Sequence, residues 1–196
     1  MPIDIEFIGD IAVDTEATGL QIFTRDRVCV VQLSDGRGDA HLVQLRQEDL
    51  NHAIELKKLL GSPDRQFIFH FARFDLAAIW VHLGVEINNI FCTKIASRLV
   101  RTYTDRHSLK ELCRELLDVD LSKQQQCSDW ALDDLSEKQV SYAASDVLYL
   151  HQIREHLIER LARESRLTLA QQCFDFLPTR VAIDRQGWAD EDIFSH

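Results

Sequence analysis

An apolar strand that runs straight into two acids is hard to bury without something to offset the charge. The segment Ile11-Ala12-Val13-Asp14-Thr15-Glu16 is such a strand. Residues i and i+2 of a strand share a face, so Asp14 and Glu16 point the same way. Two carboxylates held side by side repel, and cations shared between them relieve the repulsion. Oxygen donors favour hard ions such as Mg²⁺ or Mn²⁺. A polar strand end facing water would give the same spacing, so the pair alone leaves both readings open.

The rest of the chain supplies a frame for this strand. Patterning predicts strands over Ile8–Asp14, Val28–Leu33 and Ala40–Leu45, separated by turns at Thr18-Gly19 and Ser34-Asp35-Gly36-Arg37-Gly38. Such short connections fit an antiparallel meander. Helical signals follow from Leu50 to Leu60, with a buried strand Phe67–His70, a helix Phe74–Leu83 stopped by Gly84, and a strand Ile90–Thr93 leading into a helix through Leu99. Capping-box spacing at Ser108–Glu111 and at Ser136–Gln139 starts two more helices. The second is predicted to be long, with apolar positions from Val140 through Val147, Leu150, Ile153 and Leu157 to Leu161. The predicted fold class is α/β, a mixed sheet flanked by helices, in a single domain spanning residues 1–196.

Two further features bear on the acid pair. Asp75 falls in the first turn of a helix, where it serves a site or only a cap. Tyr142 and Asp146 lie at i and i+4 on one helix face, with Ala143, Ala144 and Ser145 leaving room beside them. A phenol and a carboxylate so placed suit a metal-bound water, or make an ordinary surface pair.

Composition narrows the function classes. A net charge of −10 argues against a protein that coats long nucleic acid, and leaves room for an enzyme that takes a short one through metal ions. Within that acidic chain, residues 91–110 carry a net +4 from Lys94, Arg98, Arg101, Arg106 and Lys110 against Asp105. This patch fits a short phosphate ligand or a solvated helix face. No apolar run approaches the roughly 18–20 residues of a membrane span, so no membrane partner is expected. The acidic start Met-Pro-Ile-Asp-Ile-Glu-Phe lacks the basic cluster of a secretory signal. Five cysteines, an odd number without Cys-x-x-Cys spacing, point away from a disulfide framework and toward a cytoplasmic location.

Together these residues resemble the DEDDy 3′→5′ exonucleases of the ribonuclease D-like branch. The matching motifs are Val13-Asp14-Thr15-Glu16-Ala17-Thr18-Gly19-Leu20, then His70-Phe71-Ala72-Arg73-Phe74-Asp75-Leu76, then Tyr142-Ala143-Ala144-Ser145-Asp146. The stretches around Cys92–Leu99, Arg101–His107 and Ser122–Gln126 are similar to the single-domain nano-RNase C type. Many relatives carry Asn near Phe71 or Ala72, and this chain has none there.

The resemblance implies a ribonuclease H-like fold and hydrolysis of short RNA, particularly dinucleotides, to nucleoside 5′-monophosphates with two divalent cations, Mg²⁺ or Mn²⁺. Single-stranded DNA or tRNA 3′ ends are the alternative substrates, and a non-catalytic nucleic-acid-binding module is the alternative role. Asp14, Glu16, Asp75 and Asp146 would be the metal ligands, and Tyr142 would orient the nucleophilic water. Thr15, Gly19, Leu20, His70, Phe74, Lys94, Arg98 and Lys123 would contact substrate. Leu20 would wedge against a terminal base, although core filling explains a Leu there equally well. His70, His107 and His151 lack ligand spacing and are read as outside the metal set. The aromatic segment from Cys173 to Phe194 should pack on its own domain or on a neighbouring subunit, and the resemblance implies a homo-oligomer, possibly ring-shaped.

Overall fold

The computed structural model describes residues 5–121 and 128–196. Five strands form one mixed sheet in the order β3-β2-β1-β4-β5. They are β1 Ile11–Ala17, β2 Val28–Ser34, β3 His41–Gln44, β4 Phe67–Phe69 and β5 Ile90–Cys92. The first three make the antiparallel meander, and β4 and β5 add on in parallel on the far side of β1. β4 and β5 are buried at every position, which is why both read as unbroken apolar runs rather than as alternation.

The helices are α1 Ile54–Leu60, α2 Ala72–Leu83, α3 Thr93–Val100, α4 Leu109–Leu112, α5 Glu137–Leu148, α6 Leu150–Arg163, α7 Leu167–Asp175 and α8 Leu177–Ile183. α4 runs into a wider π-type turn, Cys113–Leu117. None of these helices is long and apolar enough to cross a membrane. α2 buries seven of its twelve residues because it lies between the sheet and α8. α5 packs on β1, β2 and β3, while α6 packs on α3 and β4.

Several expected boundaries move. β1 begins at Ile11 rather than Ile8, because Gly9 turns with φ +70° and the backbone N–H of Ile8 is taken by the Asp35 carboxylate at 3.1 Å. The strand then continues to Ala17 along β2, so both acids lie inside it rather than at its end. The helix expected from Leu50 starts only at Ile54, after a stretch of turns from Gln47 to His52. The long helix expected from Ser136 to Leu161 is two helices broken at Tyr149 (φ −101°, ψ −6°). Val140, expected on its apolar face, is exposed. The Ser136 cap forms as expected: its hydroxyl accepts from the Gln139 N–H at 3.3 Å, and the Gln139 Oε1 accepts from the Ser136 N–H at 3.0 Å.

The aromatic C-terminal segment splits in two. Phe174 joins the core against Phe91, with ring centroids 4.9 Å apart, and Leu177 and Val181 are buried. Trp188, Ile193 and Phe194 stay exposed. The segment is tied down at Asp184, whose buried carboxylate accepts from Arg73 at 2.6 and 2.8 Å and pairs with Arg180 at 3.0 Å.

Candidate metal centre

The second half of β1 holds Asp14 and Glu16 on one face, and α5 brings Asp146 down onto that face. One ligand oxygen from each of the three acids lies within 4.8 Å of the others. The reciprocal Ser136–Gln139 cap and the bond from Gln139 Nε2 to the Asp129 carbonyl at 2.9 Å fix the start of α5, and so the height of Asp146. Thr15 points to the opposite face, where its hydroxyl donates to the Asp75 carboxylate at 2.7 Å. Asp75 stands in the first turn of α2 and is buried, beside the three-acid cluster rather than within it.

Burial sets the electrostatics. Asp14 is held well above the usual carboxylate range, first by burial and then by the charges of Asp75, Asp146 and Glu16. Burial with the charges of Asp146 and Asp75 pushes Glu16 up to about 9. Burial lifts Asp75 to about 7 despite the opposing Thr15 hydrogen bond. Asp146 is likewise raised to about 7 by burial, against the hydrogen bond it accepts from Tyr142. The four acids titrate as a group, and they cannot all ionise at neutral pH unless a cation shares their charge. An all-carboxylate donor set of this kind fits a hard divalent ion.

Tyr142 stands one turn before Asp146 on α5, its ring 6.2 Å from that of Trp130. Burial and the charges of Asp146, Glu16 and Asp14 raise its phenol further above its ordinary value. The hydroxyl therefore stays protonated and acts as a hydrogen-bond donor.

A cleft of about 290 Å³ opens over these groups. Its walls include Asp14, Thr15, Glu16, His70, Tyr142 and Asp146, together with Lys94. His70 is neutral at physiological pH, held down to about 3 by burial and by the charge of Lys94. The Lys94 ammonium rests 4.2 Å from the centroid of the Phe71 ring.

The other expected contacts fare differently. Leu20 is 82 % exposed, so core filling is excluded for it. The turn that presents it needs Gly19, because a Cβ there would sit 2.5 Å from the Asp26 carboxylate. Asp26, held at about 2 mainly by its hydrogen bonds from Arg25, also accepts from the Gln21 N–H at 2.8 Å and closes the turn. Arg98 is exposed and lines a neighbouring pocket rather than the cleft. Phe74 is half-buried against the core and is absent from the cleft wall. Lys123 lies outside the described residues.

The basic patch is smaller than its composition suggests. Arg101 is 1 % exposed and bound to Glu115, to Ser97 and to the Arg106 carbonyl, so it holds the loop before α4. Lys110 lines the cleft but also pairs with Asp120 at 2.9 Å. Sequence reasoning missed Phe71, Ser108, Leu109 and Leu121 as cleft walls. Phe71 has φ 72°, a left-handed conformation that favours Asn or Gly, and the Asn common near this position in relatives was the available signal.

Residues 4–162 match the model of the 3′-5′ exonuclease family. Ribonuclease D of Gluconacetobacter diazotrophicus is 33% identical over 162 residues, covering 80% of this chain and 39% of that protein. The chain thus spans about two fifths of the length of that curated relative. NrnC of Brucella melitensis bound to pGG is 52% identical with a TM-score of 0.92, covering 96% of this chain and 91% of that one. The same protein with bound Mg²⁺ is 51% identical with a TM-score of 0.90, again over 96% of this chain and 91% of that one.

Proposed function

The chain belongs to the 3′-5′ exonuclease family, and from that membership we propose that it is a metal-dependent 3′→5′ exoribonuclease acting on short RNA, dinucleotides above all. The observation that carries the proposal is the meeting of Asp14, Glu16 and Asp146 within 4.8 Å at the floor of a cleft. The likeness to NrnC bound to pGG supports the substrate class, and the likeness to its Mg²⁺-bound form supports the cofactor class.

Asp14, Glu16 and Asp146 would hold one Mg²⁺ or Mn²⁺. Asp14 together with Asp75 would hold a second. When bound, the two cations supply a hydroxide nucleophile at neutral pH and offset the charge on the attacking and leaving oxygens. The protein's own groups do the positioning. Tyr142, whose hydroxyl donates to Asp146 one turn away, would orient the nucleophilic water through a lone pair of its phenol oxygen. Leu20 stands free to wedge a terminal base, and Lys94, fixed over Phe71, faces a phosphate entering the cleft. The products are nucleoside 5′-monophosphates.

The exposed Trp188, Ile193 and Phe194 support self-association through the C-terminal segment, in a closed ring or a smaller oligomer. A single catalytic domain working in the cytoplasm, where RNA fragments arise, completes the proposal. The test is a length series of 5′-labelled RNA from two nucleotides upward, with Mg²⁺ and with Mn²⁺. Fastest turnover at two nucleotides is the expected result, and equal or faster turnover of long RNA would overturn the substrate assignment.

A further inference from the structure

Among the described residues, Gln32 alone buries both polar atoms of its side chain without a hydrogen-bond partner, Oε1 and Nε2 together. It is 0% exposed, in the middle of β2. An unpartnered buried amide is costly, and an apolar residue of the same size would avoid the cost. Its surroundings show where the amide can act.

The β1–β2 ladder pairs Gln32 directly with Asp14, and paired residues of an antiparallel ladder share a face. That is the face on which Asp146 joins Asp14 and Glu16, so α5 covers it. The neighbours on this face are mostly apolar, apart from Glu16, diagonal to Gln32 across the ladder, and the indole N–H of Trp130, which is also buried without a partner. Across β3 the partner is Leu42, which packs with Cys29, Val30, Trp130 and Ala143. Two residues back along β2 is Val30. Two residues on is Ser34, whose hydroxyl donates to the Asp39 carbonyl at 2.7 Å. An indole N–H can only serve the amide oxygen, and of the two carboxylates Asp14 is the one directly opposite Gln32, so it is the acceptor best placed for Nε2–H.

We propose that Gln32 is a positioning residue for the metal centre: its Nε2–H, directly or through one buried water, holds the outer carboxylate oxygen of Asp14 and fixes the orientation in which Asp14 ligates. Carboxylate ligands are themselves held by hydrogen bonds from a surrounding layer of side chains, and losing such a partner typically weakens metal binding about 10–100-fold. The inference rests on the reading of Asp14 as a metal ligand.

The test uses the full chain with Gln32→Met, which keeps length and packing, and Gln32→Leu. Mn²⁺ affinity is measured by calorimetry, and thermal melting is recorded in chelator. Both variants should bind Mn²⁺ about 10–100-fold more weakly than wild type, while melting in chelator at the same temperature or higher, because an unpaired amide has been removed. Mn²⁺ affinity within threefold of wild type in both variants would overturn the proposal. Failure of both to fold would also overturn it, since the amide would then serve folding. The controls are wild type and Asp14→Asn. Absence of Mn²⁺ binding to wild type, or undiminished binding to Asp14→Asn, would count against the metal-ligand reading itself and so separates that failure from the failure of Gln32.

Discussion

Tyr142→Phe separates orientation of the nucleophile from simple packing. The substitution keeps the ring, its contact with Trp130 and the α5 backbone, and deletes only the hydroxyl that donates to Asp146. Burial and three neighbouring acids raise that phenol above its ordinary value, so without metal it is a protonated donor to Asp146. Loss of one positioned donor in a buried site should slow the chemical step about 10²–10³-fold, or roughly 2.7–4.1 kcal/mol of barrier. Folding should lose only about 1 kcal/mol, the net value of one hydrogen bond. The assay is single-turnover hydrolysis of a labelled dinucleotide across pH, with melting curves in parallel. A rate within threefold of wild type would refute the reasoning.

Three other outcomes follow from the same structure. Glu16 at about 9, with Asp75 and Asp146 at about 7, are raised above their unfolded values near 4, so the folded chain binds more protons than the unfolded chain between those limits. The stability present below pH 4 is therefore lost progressively up to pH 9: in chelator the melting temperature should fall from pH 5 to pH 9, and Mg²⁺ should restore more of it at the higher pH, whereas a melting temperature that rises with pH would contradict the shifts. Asp184→Ala should destabilise by about 2–3 kcal/mol, less than the full cost of breaking a buried pair because Arg73 is one-third exposed, and denaturant unfolding reads it directly. Removal of residues 186–196, which carry the exposed Trp188 and Phe194, should shift the particle to smaller species in light scattering, and an unchanged size would place self-association elsewhere.

The sheet was legible because its signals are local. Turn residues, unbroken apolar runs and the short links between the first three strands each follow from neighbouring residues, and the antiparallel meander within a mixed sheet formed as expected. Strand and helix periodicity put Asp14 with Glu16 and Tyr142 with Asp146 on shared faces, and the resemblance to the DEDDy exonucleases joined these pairs to Asp75 across the chain. The break at Tyr149 was not, since the apolar spacing from Val147 to Leu150 continues as it would in one helix. The fate of the cations was hidden too: Arg101 and Arg98 look alike in sequence, and only the tertiary position of Glu115 makes the first a core residue. Gln32 reads as one polar residue in a strand, and its meaning depends on the β1–β2 register and on the helix above it.

The most direct measurement is dinucleotide hydrolysis by wild type and Asp14→Asn in chelator and after addition of Mg²⁺ or Mn²⁺, with products resolved by chromatography. The carboxylates at the cleft floor predict no turnover in chelator, recovery on metal addition with release of nucleoside 5′-monophosphates, and a rate for Asp14→Asn lower by several orders of magnitude. Full turnover by the wild type in chelator, or turnover by Asp14→Asn close to wild type, would contradict the metal-dependent account.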